Sequence, residues 1–235
     1  MPTFTFPPLA LAVSVLTPKL IRLRYARNGK FAKRRAWAMT KDDSEFEPTH
    51  FALSETSHEF IIHTNAITIH VEKKTGKIHF ADSQNRIFCA DASSVASVNP
   101  SVAKSVTSDT TSVAKSVATG EHFYGFGERA YSSLERSGRI YTHWAADTAA
   151  PHTPNVDRMY VAIPIYFSVR PNLAYAVYFN NTHHSQFDVG CADPNQIRFS
   201  ADGGELDYYV FYGPTPREVS EGIAQLLGTH PLPPR

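Results

Sequence analysis

The stretch MYVAIPIYFSVRPNLAYAVYFN, residues 159–180, decides the fold. Its two runs are rich in Val, Ile, Tyr and Phe and flank Arg170-Pro171-Asn172, so β-favouring composition gives way to turn chemistry and then returns. That pattern predicts a β-hairpin. The segment IRFSADGGELDYYVFYG, residues 197–213, has the same form around Asp202-Gly203-Gly204 and predicts a second one. Upstream, AITIHVEKKTGKIHFAD, residues 66–82, alternates Ile67, Ile69 and Val71 with polar residues, breaks at Lys74-Thr75-Gly76 and resumes at Ile78 and Phe80. This predicts a third hairpin, with Gly76 supplying the positive φ of its turn. Nearer the N-terminus, LIRLRYA, residues 20–26, has the two-residue period of a half-buried strand, with Arg22 and Arg24 on the wet face. Strands dominate, βαβ alternation is absent, and the fold class expected is an all-β sandwich.

One helix interrupts this pattern. Thr215 reads as its N-cap, Pro216 as its first residue and Glu218 as the partner in a T-x-x-E capping box. Val219, Ile223 and Leu226 form its apolar stripe, Gly228 ends it, and Pro231, Pro233 and Pro234 prevent continuation. The expected organisation is one domain over 1–228 and a stiff proline-rich exit over 229–235, suited to leading into a following domain.

Between Ala92 and Thr119 the composition shifts to Ser, Val, Thr and Ala, and SVAKSV occurs at 101–106 and again at 112–117. A long surface loop is expected there, with a Val-driven hairpin as the other reading. With 23 Lys and Arg against 22 Asp and Glu, the chain has no net field to attract nucleic acid. The basic run between Pro18 and Lys41 is followed closely by Asp42, Asp43, Glu45 and Glu47, and reads as a solvated, locally balanced surface. Cys89 and Cys191 have neither disulfide-framework nor metal spacing, which points to a reducing, cytoplasmic setting. The apolar run LALAVSVL lacks the basic flank of a signal peptide, and no segment approaches the roughly 20 apolar residues that span a bilayer, so no membrane partner is expected. The eleven histidines are scattered along the chain, and no metal site or cofactor is assigned.

In order along the chain, EHFYGFGERA (121–130), HWAADTAA (143–150), MYVAIPIYFSV, AYAVYFNNT, SQFDVG and GGELDYYVFYGPTPREV resemble the N-terminal domain of glycoside hydrolase family 31, the alpha-glucosidase and alpha-xylosidase family. The resemblance is dense over 118–235 and faint but compatible over 12–90. It implies a galactose-mutarotase-like β-sandwich with one C-terminal helix, and an exit leading to a (β/α)8 catalytic barrel that this chain does not contain. It also implies a parent enzyme that hydrolyses an alpha-linked oligosaccharide with retention. That chemistry needs two carboxylates about 5 to 5.5 Å apart, and the family carries both on the barrel. No W-x-D-M-N-E-like motif occurs in the chain, so neither catalytic carboxylate is assigned.

The resemblance does imply substrate-binding residues in Trp144-Ala145-Ala146-Asp147 and Thr148, the counterpart of a W-N-T-D-like loop that reaches over the barrel mouth. There a carboxylate accepts two hydrogen bonds from adjacent sugar hydroxyls and an aromatic ring stacks on a sugar face. Ala145 and Ala146 replace the more usual polar pair and remove two polar contacts. Asp147 as a plain loop cap and Trp144 as a packing residue remain the competing readings. The glycines of GFGER read as a tight turn, with Glu128 and Arg129 forming structural bonds beside it, and Asp188 and Asp207 also read as structural. Two rival functions stand beside this one. An autonomous carbohydrate-binding module would use its concave sheet, lined by aromatics such as Tyr208, Phe211 or Tyr212. A mutarotase-like epimerase needs a converging His and Glu pair, which is not identifiable in the sequence.

Overall fold

The computed structural model describes residues 1–6, 9–27, 29–33, 36–94, 111–149, 151–154 and 156–232. Its seven-stranded antiparallel sheet has the order β1 (Thr3–Phe6), β2 (Leu9–Thr17), β3 (Leu20–Arg27), β16 (Leu206–Gly213), β13 (Leu173–Phe179), β12 (Ile165–Arg170) and β10 (His122–Gly125). A four-stranded sheet runs β11 (Arg139–His143), β14 (Ser185–Val189), β15 (Gln196–Ala201) and β9 (Thr111–Ser116). A five-stranded sheet runs β4 (Ala52–Glu55), β5 (Glu59–His63), β6 (Ile67–Glu72), β7 (Ile78–Asp82) and β8 (Ile87–Ala90). The two smaller sheets meet at a bridge between Asp91 and Lys115. One continuous core, including Leu23, Ile69, Phe80, Phe187, Phe199 and Tyr208, joins all three sheets. This is the expected sandwich.

The stretch 159–180 forms its hairpin: β12 and β13 pair from Ile165 opposite Tyr178 to Arg170 opposite Leu173. Asn172 takes the left-handed conformation of the turn, with φ 54°. The hairpin at 66–82 also forms, with Val71 opposite Ile78 and Gly76 at φ 69°. The hairpin expected at 197–213 does not form. β15 pairs with β14 and β9, whereas β16 pairs with β13 and β3, so residues 202–205 carry the chain from one sheet to another. A hairpin turn and an arch between layers draw on the same glycine chemistry. The choice is made by the apolar surface each strand finds: β16 is buried along its whole length.

The reason is a second apolar layer. On the outer face of the seven-stranded sheet, Leu20, Ala174, Ala176, Tyr209 and Phe211 pack against Met39 and against Val219 and Leu226 of α1 (Pro216–Leu227). The central strands β13 and β16 are therefore covered on both faces, and apart from Asp207 their sequences run apolar or aromatic instead of alternating. Helix α1 begins as expected: the Thr215 hydroxyl accepts from the Glu218 amide at 3.3 Å and donates to its carboxylate at 3.0 Å. Gly228, with φ 83°, ends it.

The loop expected at 92–119 is corrected in part. Thr111–Ser116, which holds most of the second SVAKSV copy, is the edge strand β9, with Val113, Ala114 and Lys115 buried. The first copy, Pro233, Pro234 and part of the KRR run at 33–35 lie outside the described residues. Lys115 is a buried cation that a Ser- and Val-rich composition does not announce. Its ammonium donates to Asp91 at 2.6 Å and to the Tyr208 hydroxyl at 3.0 Å. Burial alone would lower its pKa, but the Asp91 charge and hydrogen bond outweigh it, and the pKa is raised. Asp91 also accepts from the Ile78 amide at 2.8 Å, so one ion pair ties β7 to β9 through the core.

Candidate functional site

The outer face of the seven-stranded sheet is apolar under α1 and turns polar beyond it. There β3 and β16 present Arg22, Arg24 and Asp207 at the alternate positions their pleat allows. These residues floor a cavity of about 760 Å³ whose walls include Trp37, His143, Trp144 and Asn180. Arg22 holds Asp207 with both arms of its guanidinium, Nε at 2.9 Å and Nη2 at 2.6 Å, and reaches Asp43 at 3.0 Å. Asn180 donates to the same Asp207 carboxylate at 2.6 Å, and Arg24 pairs with Glu205 at 2.7 Å. Burial works against the Arg22 charge, yet its bond to Asp207 prevails and its pKa is raised. Each arginine thus has an acidic partner, so the floor offers fixed hydrogen-bonding geometry without a large net field.

The wall is set by the GFG turn. Gly125, Phe126 and Gly127 all have positive φ, at 106°, 66° and 77°. A Cβ on Gly125 would lie 2.7 Å from the Ile165 carbonyl, and one on Gly127 would lie 2.8 Å from the Ile163 amide. The turn drives the Phe126 ring into the core, stacked on Tyr141 at 4.8 Å. Arg129 then fastens the neighbouring segments: it donates to the Phe126 carbonyl at 3.0 Å, to the Thr142 carbonyl at 3.0 Å and to Asp157 at 3.1 Å. The expected structural role of Arg129 therefore holds, with Asp157 as its acidic partner. Glu128 is exposed and makes no hydrogen bond to another described residue.

The end of β11 is fixed by this clamp. His143 is buried and bonded through Nε2 to the Ile163 carbonyl at 3.1 Å, while its Nδ1 has no partner among the described residues. Burial first, and the Arg129 charge second, push its pKa down to about 4. From there the chain emerges at Trp144, which is half exposed and lies 5.9 Å from the His184 ring. Three bonds hold the following loop to 158–160. The Ala146 amide donates to the Met159 carbonyl at 3.1 Å, Thr148 Oγ1 to the Arg158 carbonyl at 3.0 Å, and the Tyr160 hydroxyl to the Thr148 carbonyl at 3.2 Å. Asp147 sits at the exposed crest, with its carboxylate unbonded to any other described residue.

Of the three residues expected to meet a sugar, Trp144 lines the cavity, while Asp147 and Thr148 stand farther along the same loop and are not part of the lining. Thr148 uses its hydroxyl within the loop. Trp37, a fully exposed part of the lining, escaped the sequence reading because it lies in a basic run without strand or helix periodicity. Asp207 is structural, as expected, but its bonds also shape the cavity floor. Asp188 accepts from the Cys191 amide at 2.7 Å and is a turn residue. The aromatic surface imagined for a binding module is corrected: Tyr208, Phe211 and Tyr212 are buried and have no face to offer a sugar. Far from the cavity, Glu59, His70 and His79 gather on the five-stranded sheet, which sequence spacing did not suggest. Among the described residues no helix is long and apolar enough to cross a membrane.

Comparison with known proteins agrees with this architecture. The family profile described as the glycosyl hydrolase 31 N-terminal galactose mutarotase-like domain matches residues 10–188. The chain is 30% identical to alpha-glucosidase 2 of Bacillus thermoamyloliquefaciens over 216 residues, covering 92% of this chain and 26% of that protein. It is 33% identical to the alpha-xylosidase XylQ of Lactiplantibacillus pentosus over 114 residues, covering 48% of this chain and 14% of that one. Among solved structures, a Flavobacterium johnsoniae GH31 dextranase in complex with isomaltotriose superposes with a TM-score of 0.86 at 21% identity, over 99% of this chain and 27% of that chain. A GH31 alpha-xylosidase from a soil metagenome superposes with a TM-score of 0.76 at 16% identity, over 99% and 34%. The chain thus spans about a quarter of the length of the first of these relatives and less of the second.

Proposed function

This chain belongs to the glycosyl hydrolase 31 N-terminal galactose mutarotase-like domain family, and on that premise we propose that it is a non-catalytic module of an alpha-glucosidase-like retaining hydrolase. In this reading residues 1–228 pack on a (β/α)8 catalytic barrel, and residues 229–235 lead towards it. The loop Trp144–Thr148 supplies part of the pocket for an alpha-linked oligosaccharide. The setting is cytoplasmic, in keeping with Cys89 and Cys191 as free thiols.

One observation carries the reading: the Trp144–Thr148 loop is held at Ala146 by a main-chain bond and at Thr148 by bonds of its hydroxyl and its carbonyl, yet exposes an aromatic ring and an unbonded carboxylate. Rigid support with free functional groups is what a contributed subsite needs, because the loop then loses little conformational freedom on meeting the sugar. The chain's task is to orient: Asp147 accepts from sugar hydroxyls and Trp144 covers a sugar face, while bond cleavage is left to carboxylates elsewhere.

The test is a chimera in which this chain replaces the matching segment of the Bacillus alpha-glucosidase. We expect the chimera to release glucose from maltose and the chain alone to release none. Asp147→Ala in the chimera should raise KM about tenfold or more, the scale of losing a charge-assisted hydrogen bond. An Asp147→Ala chimera with unchanged kinetics rules out the subsite role, and glucose release by the chain alone rules out the non-catalytic reading.

A further inference from the structure

The five-stranded sheet has one face in the core and one outside, and its outer face carries an unusual grouping. On β6 the pattern buries Ile67, Ile69 and Val71 and leaves His70 outward. On β7, His79 stands directly opposite His70 in the antiparallel register. On β5, Glu59 occupies the diagonal position, two residues from Ile61, which is the direct partner of His70. Three adjacent strands therefore bring two imidazoles and a carboxylate together, with one donor atom from each within 4.8 Å of the others. Sequence spacing hides this because the three residues are related by strand pairing and not by a short motif.

The local geometry suits a metal ion. The two imidazole rings are nearly parallel, 10° apart, with centroids at 4.3 Å. Imidazole lone pairs lie in the ring plane, so those of two stacked rings run side by side, and the rings must turn out of the stack for one nitrogen of each to meet a common ion; the donor atoms, within 4.8 Å of one another, are in reach of it. Bonds of about 2.0 to 2.1 Å in a tetrahedral site require nitrogens about 3.3 Å apart, which rotamer changes of these partly exposed side chains supply. His70 Nδ1 and Glu59 Oε2 are already 2.9 Å apart, close to the separation of neighbouring ligands on one ion. A proton holds them together in the ion's place. His79 makes no hydrogen bond to another described residue, so its ring nitrogens are available. Lys77, just before β7, is engaged by the Ala92 carbonyl at 3.1 Å.

We propose that Glu59, His70 and His79 form a divalent transition-metal site, best suited to Zn²⁺, that fastens β5, β6 and β7 together on the outer face of the five-stranded sheet. Two imidazoles and one carboxylate match the ligand preference of Zn²⁺ and leave a coordination position for water. All three side chains are partly exposed, so an ion exchanges with solvent without local unfolding. The site lies away from the Trp144 cavity and acts on stability: an ion that binds the folded chain and not the unfolded one raises the melting temperature with its concentration.

The experiment uses the 235-residue chain. Zn²⁺ is titrated calorimetrically, melting temperature is followed against Zn²⁺ concentration, and Co²⁺ is added as a spectroscopic probe of ligand geometry. We expect one saturable site in the micromolar range, a melting temperature that rises with Zn²⁺, and visible Co²⁺ absorption of a tetrahedral or five-coordinate centre. His79→Gln should weaken Zn²⁺ binding at least about tenfold, as ligand loss does, and abolish the Co²⁺ band. His79→Gln also loses the ring stack on His70, so each protein is compared with its own metal-free melting temperature, and Glu59→Gln gives a second check. His122→Gln, at an exposed position on β10, should bind as the parent does. Binding by His79→Gln equal to that of the parent, or no saturable Zn²⁺ site in the parent, overturns the proposal and leaves the pair as a packing contact.

Discussion

His143 illustrates how one residue serves structure and sensitivity at once. It closes β11, touches the Ile163 carbonyl at 3.1 Å and lines the cavity behind Trp144. Its pKa is held down at about 4, first by burial and then by Arg129, whereas an unfolded histidine titrates near 6.5. Between those values the unfolded chain binds the proton and the folded chain does not. This group therefore removes stability as pH falls from about 6.5 to about 4, at up to about 1.4 kcal/mol per pH unit, and adds no further loss below that. Urea midpoints measured across this window should fall less steeply for His143→Gln than for the parent; equal slopes would assign the acid sensitivity to other groups. Nothing in the sequence around HWAADTAA distinguishes this buried neutral ring from a surface histidine. The GFG turn was readable, because consecutive glycines at a tight bend have few other uses. Arg129 was readable only as half of a pair, since its partner Asp157 lies 28 residues away and is delivered by the fold.

At the level of elements, α1 is the clearest instance of local chemistry agreeing with tertiary demand. Its cap, its first-turn proline and its terminal glycine appear where the sequence signals them, and its stripe of Val219 and Leu226 finds the apolar outer face of β13 and β16. Thr215→Ala removes the hydroxyl that accepts from the Glu218 amide, so we expect a loss of about 1 kcal/mol. The reading should be a lower urea midpoint with an unchanged dependence on denaturant concentration. A loss below about 0.3 kcal/mol would mean that packing alone holds the first turn. Strand existence was equally legible in 66–82 and 159–180, where alternation or β-rich runs adjoin a two- or three-residue turn. Strand partnership was not. Gly203-Gly204 serves an arch between layers as well as a hairpin, and the SVAKSV segment at β9 becomes a strand only because β15 offers it an edge and Asp91 offers Lys115 a counter-charge. The cavity was legible in part for a similar reason. Trp144 was found through a motif, while Arg22, Trp37 and Asn180 reach it by pairings and loops remote in sequence.

On the scale of the whole molecule, two polar devices divide the work. The buried Lys115–Asp91 pair ties the two smaller sheets together inside, and the Arg22–Asp207–Asn180 group stiffens the floor of the outer cavity. Breaking either by removing one partner leaves a desolvated charge, a far larger cost than losing a surface pair. The position of β16 has a consequence of a different kind. It lies between β3 and β13, pairing Arg24 with Asp207 on one side and Tyr178 with Tyr209 on the other. During synthesis the main sheet therefore waits, open down its middle, until residues 206–213 leave the ribosome. Two long unpaired edges face each other across that vacancy, and exposed edges invite pairing with foreign strands. A nascent chain halted at residue 205 should accordingly recruit holding chaperones or aggregate, and one extended past α1 should become protease-resistant in a single step. Resistance gained gradually, strand by strand, would mean that the N-terminal strands find order before their central neighbour is made.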